Sequence, residues 1–119
     1  MAVFSELEPG DVLFIDSSHV VRVGSDAQFL YGEVLPRLPA GVVVHVHDIF
    51  FPFEYPLAWV EEGRAWNEAY LLRAFLQYNA AFEVLLFNSQ LAAQHGDVAR
   101  QLVPQFGVNP GGSLWLRRR

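Results

Sequence analysis

Among its 119 residues the sequence has no cysteine and no lysine. Without cysteine there is no disulfide scaffold and no thiolate chemistry, and the default location is the cytoplasm. Without lysine, Schiff-base catalysis and a phosphate loop built on lysine are both excluded. Long hydrophobic runs are missing too, because Asp, Glu, Arg or His interrupts every stretch approaching the about 18 apolar residues of a membrane span. The opening MAVFSELEPGD lacks the basic start and apolar centre of a secretory signal. Positive charge is scarce: eight arginines against 13 acids leave a net charge of −5. A nucleic-acid partner is therefore not expected, since phosphate contacts need clustered cations. The C-terminal RRR reads as a small solvated tail.

What is present is apolar and patterned. Hydrophobic residues make up 52% of a chain long enough for one domain and too short for two. DVLFID (11–16) reads as a strand buried on both faces, and SDAQFLYGEVLPRL (25–38) as a helix whose Ser25 and Gln28 form a capping box. GVVVHVHDI (41–49) is a second buried strand, followed by an aromatic, proline-punctuated loop, FFPFEYPLAW (50–59). RAWNEAYLLRAFLQYN (64–79) reads as a helix, FEVLLFN (82–88) as a third strand and DVARQLVPQF (97–106) as a short helix. NPGG makes a turn into SLWLRR (113–118), a last strand that can run antiparallel beside the third. This order calls for an α/β fold with a mainly parallel sheet and helices on its faces. No G-x-G-x-x-G follows a strand, so VLFI has no covering neighbour from its own chain, and the sequence looks like half of a doubly wound fold.

Chemistry gathers at the carboxyl ends of the strands, where open α/β sheets bind ligands. Asp16 closes the first strand and Asp48 the second, with Ser17, Ser18 and His19 beyond one and His45 and His47 leading to the other. In neighbouring strands about 4.8 Å apart, two carboxylates call for a shared cation or a retained proton. Oxygen ligands suit Mg²⁺ or Mn²⁺, and imidazole participation also admits Fe²⁺ or Zn²⁺. The structural alternative is that the aspartates cap the following turns and that His45 is a hydrogen-bonded core residue. The aromatic loop reads as a lid lining a small-molecule pocket, or else as a satellite hydrophobic cluster. Asn67 and Glu68, opening the next helix, face the same cleft or form a solvated first turn.

The string DVLFIDSSHV…GSDAQFLYGEVLPRL…GVVVHVHDIFFPFEYP…WNEAYLLRAFLQYN…GGSLWLRR resembles a family of bacterial class I S-adenosylmethionine-dependent methyltransferases, whose fourth strand ends in Ile-Asp-x-x-His and fifth in His-Asp. The resemblance runs from Asp11 to Arg118. It implies a partial Rossmann-like sheet of strands four to seven, mostly parallel, with the last inserted antiparallel between five and six. Residues 1–119 would then be a single partial domain without the cofactor-binding half, inactive by itself. The implied activity is methyl transfer to a hydroxyl of a sugar or secondary metabolite. The implied site has His19, His47 and Asp48 in catalysis, His19 or His47 being the general base. Phe51, Glu54, Tyr55, Trp59 and Asn67 would hold the acceptor, and Asp16 with Asp48 a divalent cation such as Mg or Mn. His47 stands where some relatives carry a further acid. The competing reading is a non-catalytic association module whose exposed sheet edge and aromatic loop bind a partner chain. On either reading the uncovered edge at Val12–Ile15 is expected to promote self-association.

Overall fold

The structure, a computed structural model, describes residues 2–119, the side chain of Ala2 excepted. Four strands form one open sheet: β1 (Val12–Ile15), β2 (Val43–His47), β3 (Phe82–Phe87) and β4 (Ser113–Arg118), in the order β1-β2-β4-β3. β1 and β2 are parallel, with Val12 opposite Val43. β4 lies between β2 and β3 and is antiparallel to both. By ladder the sheet is therefore mixed and not mostly parallel, with one parallel and two antiparallel pairings.

Alternation along the strands sorts the two faces. Ile15, Val44, Val46, Leu114 and Leu116 point to one side and are buried. There they meet Ala27, Tyr31, Val34, Leu35 and Leu38 from the first helical segment and Ala69 and Leu72 from a later helix. The first segment is α1 (Asp26–Phe29) followed by a π turn (Leu30–Val34) and a 3-10 turn (Leu35–Arg37). Ser25 caps it as expected, its hydroxyl accepting from the Gln28 N–H at 3.1 Å. The helix changes pitch just before Pro36, which has no N–H to give and whose ring crowds the preceding turn. α3 (Glu68–Leu76) is shorter than the predicted 64–79, and the aromatic loop contains a further short helix, α2 (Leu57–Glu61). α4 (Asn88–Leu102) begins directly after β3, well before the predicted 97, and is kinked at His95.

The β1 side of the other face is open, which corrects the expectation of a first strand buried on both faces. Val12 is 52% exposed and Phe14 59%. Among the described residues the rings touching Phe14, His45 and Trp115 are one another and His47. Nor is the arginine run a free tail: Arg117 and Arg118 belong to β4, and Arg117 pairs with Glu83 on β3. Gly41 opens β2 because nothing larger fits; with φ +91°, a Cβ there would lie 2.8 Å from Pro9. Among the described residues no helix is long and apolar enough to cross a membrane.

Candidate functional site

The parallel pairing of β1 and β2 sets their carboxyl ends side by side, and the loop after β1 folds back over them. Two hydrogen bonds shape that loop. The Ser18 N–H donates to Asp26 at 2.8 Å, and the His19 N–H donates to the Ser17 hydroxyl at 2.9 Å. The turn-capping expected of Asp16 thus falls to Asp26, whose carboxyl is held below its ordinary range chiefly by the Ser18 hydroxyl. The loop is clasped to the start of α3: Asn67 and Glu68 N–H groups donate to the His19 carbonyl at 3.0 and 3.2 Å. These are first-turn donors that have no partner within the helix. Another donor of that turn, the Ala69 N–H, reaches the Tyr55 hydroxyl at 2.9 Å.

His19 is buried at the centre of this arrangement. Its Nδ1 lies 2.8 Å from Oε2 of Glu68, and its Nε2 lies 3.3 Å from Asp16 and 3.9 Å from Asp48. The Trp66 ring packs on the imidazole with centroids 4.1 Å apart. Glu68 is fully buried, so its carboxylate needs compensation within the protein. Ser17 donates to it at 2.9 Å and Tyr31 at 3.0 Å, and His19 completes the set. An acceptor on the Nδ1 side fixes the proton there and leaves Nε2 facing the two aspartates. Burial opposes the imidazolium, but the hydrogen bond to Glu68 and the charges of Glu68, Asp48 and Asp16 outweigh it, holding His19 above the ordinary imidazole value.

Both His19 and Asp48 are in the left-handed region, at φ 57° and 55°. Non-glycine residues pay for that conformation, and such strain concentrates at functional sites. Asp48 is further pinned by its N–H, which donates to the Gly112 carbonyl at 2.6 Å.

Beyond Asp48 opens a cleft of about 450 Å³. His47, Asp48, Phe50, Pro56 and Trp59 line one side, and Ser89 of α4 with the 109–112 turn lines the other. A larger hollow of about 560 Å³ adjoins it across Ala92 and Pro110, between the kinked α4 and the 104–107 turn. Its Asp97 and Arg100 are paired at 2.7 Å. Of these two, the smaller cleft reaches the carboxyl end of β2, through His47 and Asp48.

Of the residues singled out from sequence, Asp16, His19 and Asp48 come together, and Asp48, His47 and Trp59 line the cleft. His47 Nε2 is 3.7 Å from Asp48, and its Nδ1 is 3.2 Å from His45. Burial first, and then the neighbouring His47, hold His45 below the ordinary imidazole value. Phe51, Glu54, Tyr55 and Asn67 are engaged elsewhere. The Phe51 ring meets Phe87 at 5.8 Å, and Glu54 accepts from Tyr70 at 3.0 Å. Asn67 grips the backbone of Val21, accepting its N–H at 2.6 Å. Tyr55 braces α3, and burial pushes its hydroxyl up to about 12. Phe50, Pro56 and Trp59 of the loop line the cleft, while Trp59 also packs on Phe50 and Trp66, with Arg64 4.4 Å above its ring.

Among the described residues no group of three or more His, Cys, Asp or Glu side chains is placed to hold a metal ion. Asp16 and Asp48 face the His19 ring nitrogen instead. The turns after β1 and β2 contain no glycine before Gly24 and Gly63. Comparison with known proteins finds no family model, no curated protein and no solved structure that matches the chain.

Proposed function

We propose that this chain is the acceptor-side half of a methyltransferase, binding a hydroxylated small molecule, such as a sugar or secondary metabolite, at the strand ends. The observation that carries the reading is His19, a buried imidazole with one nitrogen fixed by a buried carboxylate and the other turned to the sheet's carboxyl edge. Such a histidine is suited to take a proton from an acceptor hydroxyl at Nε2. The imidazolium so formed is stabilised by Glu68, Asp16 and Asp48, as the oriented base of a hydrolytic triad is stabilised by its aspartate. Glu68 is a positioning residue, since it acts through His19. Asp48 and His47 on the cleft wall orient the acceptor, and Trp59 with Phe50 screens it from water.

S-adenosylmethionine, when bound, would supply an electrophilic methyl group. In this reading the glycine-rich half of a Rossmann-like fold supplies its seat. The exposed β1 side of the sheet and its unpaired edge support that reading, because they are where such a half would pack. A divalent cation is not required by it.

The test is methyl transfer by the protein encoded when the gene is read upstream of Met1. A β-α-β segment with a glycine-rich turn should be found there. His19→Gln should then lower kcat by about 10²–10⁴-fold, while His47→Gln raises KM. The 119-residue chain alone should show no heat of binding with S-adenosylmethionine; micromolar binding by it would overturn the half-fold reading.

The exposed β1 edge also favours a second reading, a non-catalytic association module. The aromatic loop does not add to it, since its rings are largely packed against one another. An upstream segment without any glycine-rich turn, together with unaltered binding by a His19→Gln variant, would favour the module.

A further inference from the structure

The cleft beside Asp48 and the larger hollow next to it share a boundary and both their walls. On one side is α4, with Ser89 and Ala92 at the cleft and the stretch from Ala92 to Arg100 at the hollow. On the other is the segment 106–112, whose first residues line the hollow and whose last line the cleft. Where the two meet stand Ala92 and Pro110, whose short side chains carry no polar group. The kink of α4 at His95 is part of the hollow's wall. At about 450 and 560 Å³, each half is by itself in the range of a small-molecule site. An acceptor of one ring fits within the cleft and leaves the hollow unfilled.

The hollow's charged groups come as a matched pair. Nη2 of Arg100 donates to Oδ1 of Asp97 at 2.7 Å, and both side chains are largely exposed. That contact leaves Asp97 a second acceptor oxygen and Arg100 further N–H donors. Gly107 seats the arginine. Its place has no room for a Cβ, which would fall 2.5 Å from Cδ of Arg100, so the arginine stem lies directly on the turn. Beside it the half-buried Phe106 offers a flat apolar surface. A sugar ring matches both features. Its adjacent hydroxyls each donate and accept, and its C–H face packs on the electron-rich face of an aromatic ring. The Asp97–Arg100 pair is neutral as a whole, so it gives no preference to a phosphate or carboxylate. We propose that the acceptor is a glycoside of two or more sugar units. The reacting unit lies in the cleft by Asp48. The next lies in the hollow, its face on Phe106 and two neighbouring hydroxyls on Asp97 and Arg100. This rests on the reading of the cleft as the acceptor site and names the acceptor's class. The second unit is remote from His19, so it contributes affinity and orientation and takes no part in proton transfer.

Amide NMR shifts of the chain test it, with methyl glucoside, cellobiose, maltose, lactose and glucuronate each titrated to about 20 mM, a range that covers millimolar dissociation constants. Methyl glucoside should move the amides of Asp48 and Ser89 and leave those of Asp97, Arg100 and Gly107 in place. At least one of the three disaccharides should move both sets and bind about tenfold more tightly. Phe106→Ala should abolish that gain and leave methyl glucoside binding unchanged. Asp97→Ala, at an exposed position, reads the same loss should Phe106→Ala fold poorly. Disaccharides that move the cleft amides alone, or whose gain survives both substitutions, overturn this proposal and leave the acceptor reading standing. A gain for glucuronate equal to that of the best disaccharide makes the hollow an anion site and also overturns it. Cleft amides that no sugar moves take down the sugar-acceptor reading, and this proposal with it.

Discussion

His19 and His45 are displaced in opposite directions from the ordinary imidazole value of about 6.5, and the stability of the fold should record both. His19 gains partners on folding, so its folded value lies above its unfolded one. Its contribution is complete below about pH 6.5 and is lost as pH rises through the raised folded value. His45 is held low, so the unfolded chain binds more protons between the depressed value and about 6.5. Its contribution is complete above that window and is lost as pH falls through it. Urea midpoints measured from about pH 5 to 8 should trace a dome. His19→Gln should flatten the alkaline limb and His45→Leu the acid limb; midpoints that rise steadily through the range would contradict both assignments. His45→Leu should otherwise cost little, because Nδ1 of His45 is buried without a hydrogen-bond partner. How far each residue was legible follows from where its partners lie. The pairing of Asp16 with Asp48 could be read from two strand ends. The role of Glu68 could not, because Ser17 and Tyr31, which satisfy it, are 51 and 37 residues away in sequence.

Turns and close approaches decide how the elements are joined. α3 ends in a turn of type II form: Gln77 has φ −64° and ψ 127°, Tyr78 has φ 58°, and the Asn79 N–H donates to Leu76 O at 3.3 Å. The third position of that turn favours glycine, and the Tyr78 side chain is fully exposed. Tyr78→Gly should raise the melting midpoint by a few degrees; a lower midpoint would show that the ring contributes something its exposure hides. Gly112 is the opposite case. A Cβ there would fall 2.3 Å from the Phe50 ring, on the turn whose carbonyl holds Asp48. Gly112→Ala should cost about 1–3 kcal/mol and displace the cleft wall, and Phe50→Leu in the same chain should recover part of the loss; simple additivity would mean that the two do not touch. The four strands were legible because short apolar runs are bounded by turn residues. The first half of α4 was not, since Asn88 and Ser89 fall inside the helix with Phe87, whose side chain cannot cap, at its N-cap, and NSQLAAQHG ends in glycine. Burial of VLFI on both faces was inferred from its unbroken apolar run, but such a run does not say whether a helix lies over each face.

At the scale of the molecule, the site belongs to no single element. Asp16 comes from the end of β1, Asp48 from the end of β2, His19 from the loop over them and Glu68 from the start of α3. They meet only when the parallel pair forms and α3 docks through its first-turn N–H groups. The sheet beside them is open, with Val12 and Phe14 exposed on its β1 side. The account depends most on His19 being an oriented base whose protonated form is stabilised by the carboxylates around it. The direct measurement is an NMR titration of the His19 imidazole nitrogens in the wild-type chain and in Glu68→Gln. The expected result is a proton resident on Nδ1 in the neutral form, a titration above about pH 6.5, and a downward shift in the variant. A wild-type midpoint at or below that value, or one that Glu68→Gln leaves unmoved, would contradict the account.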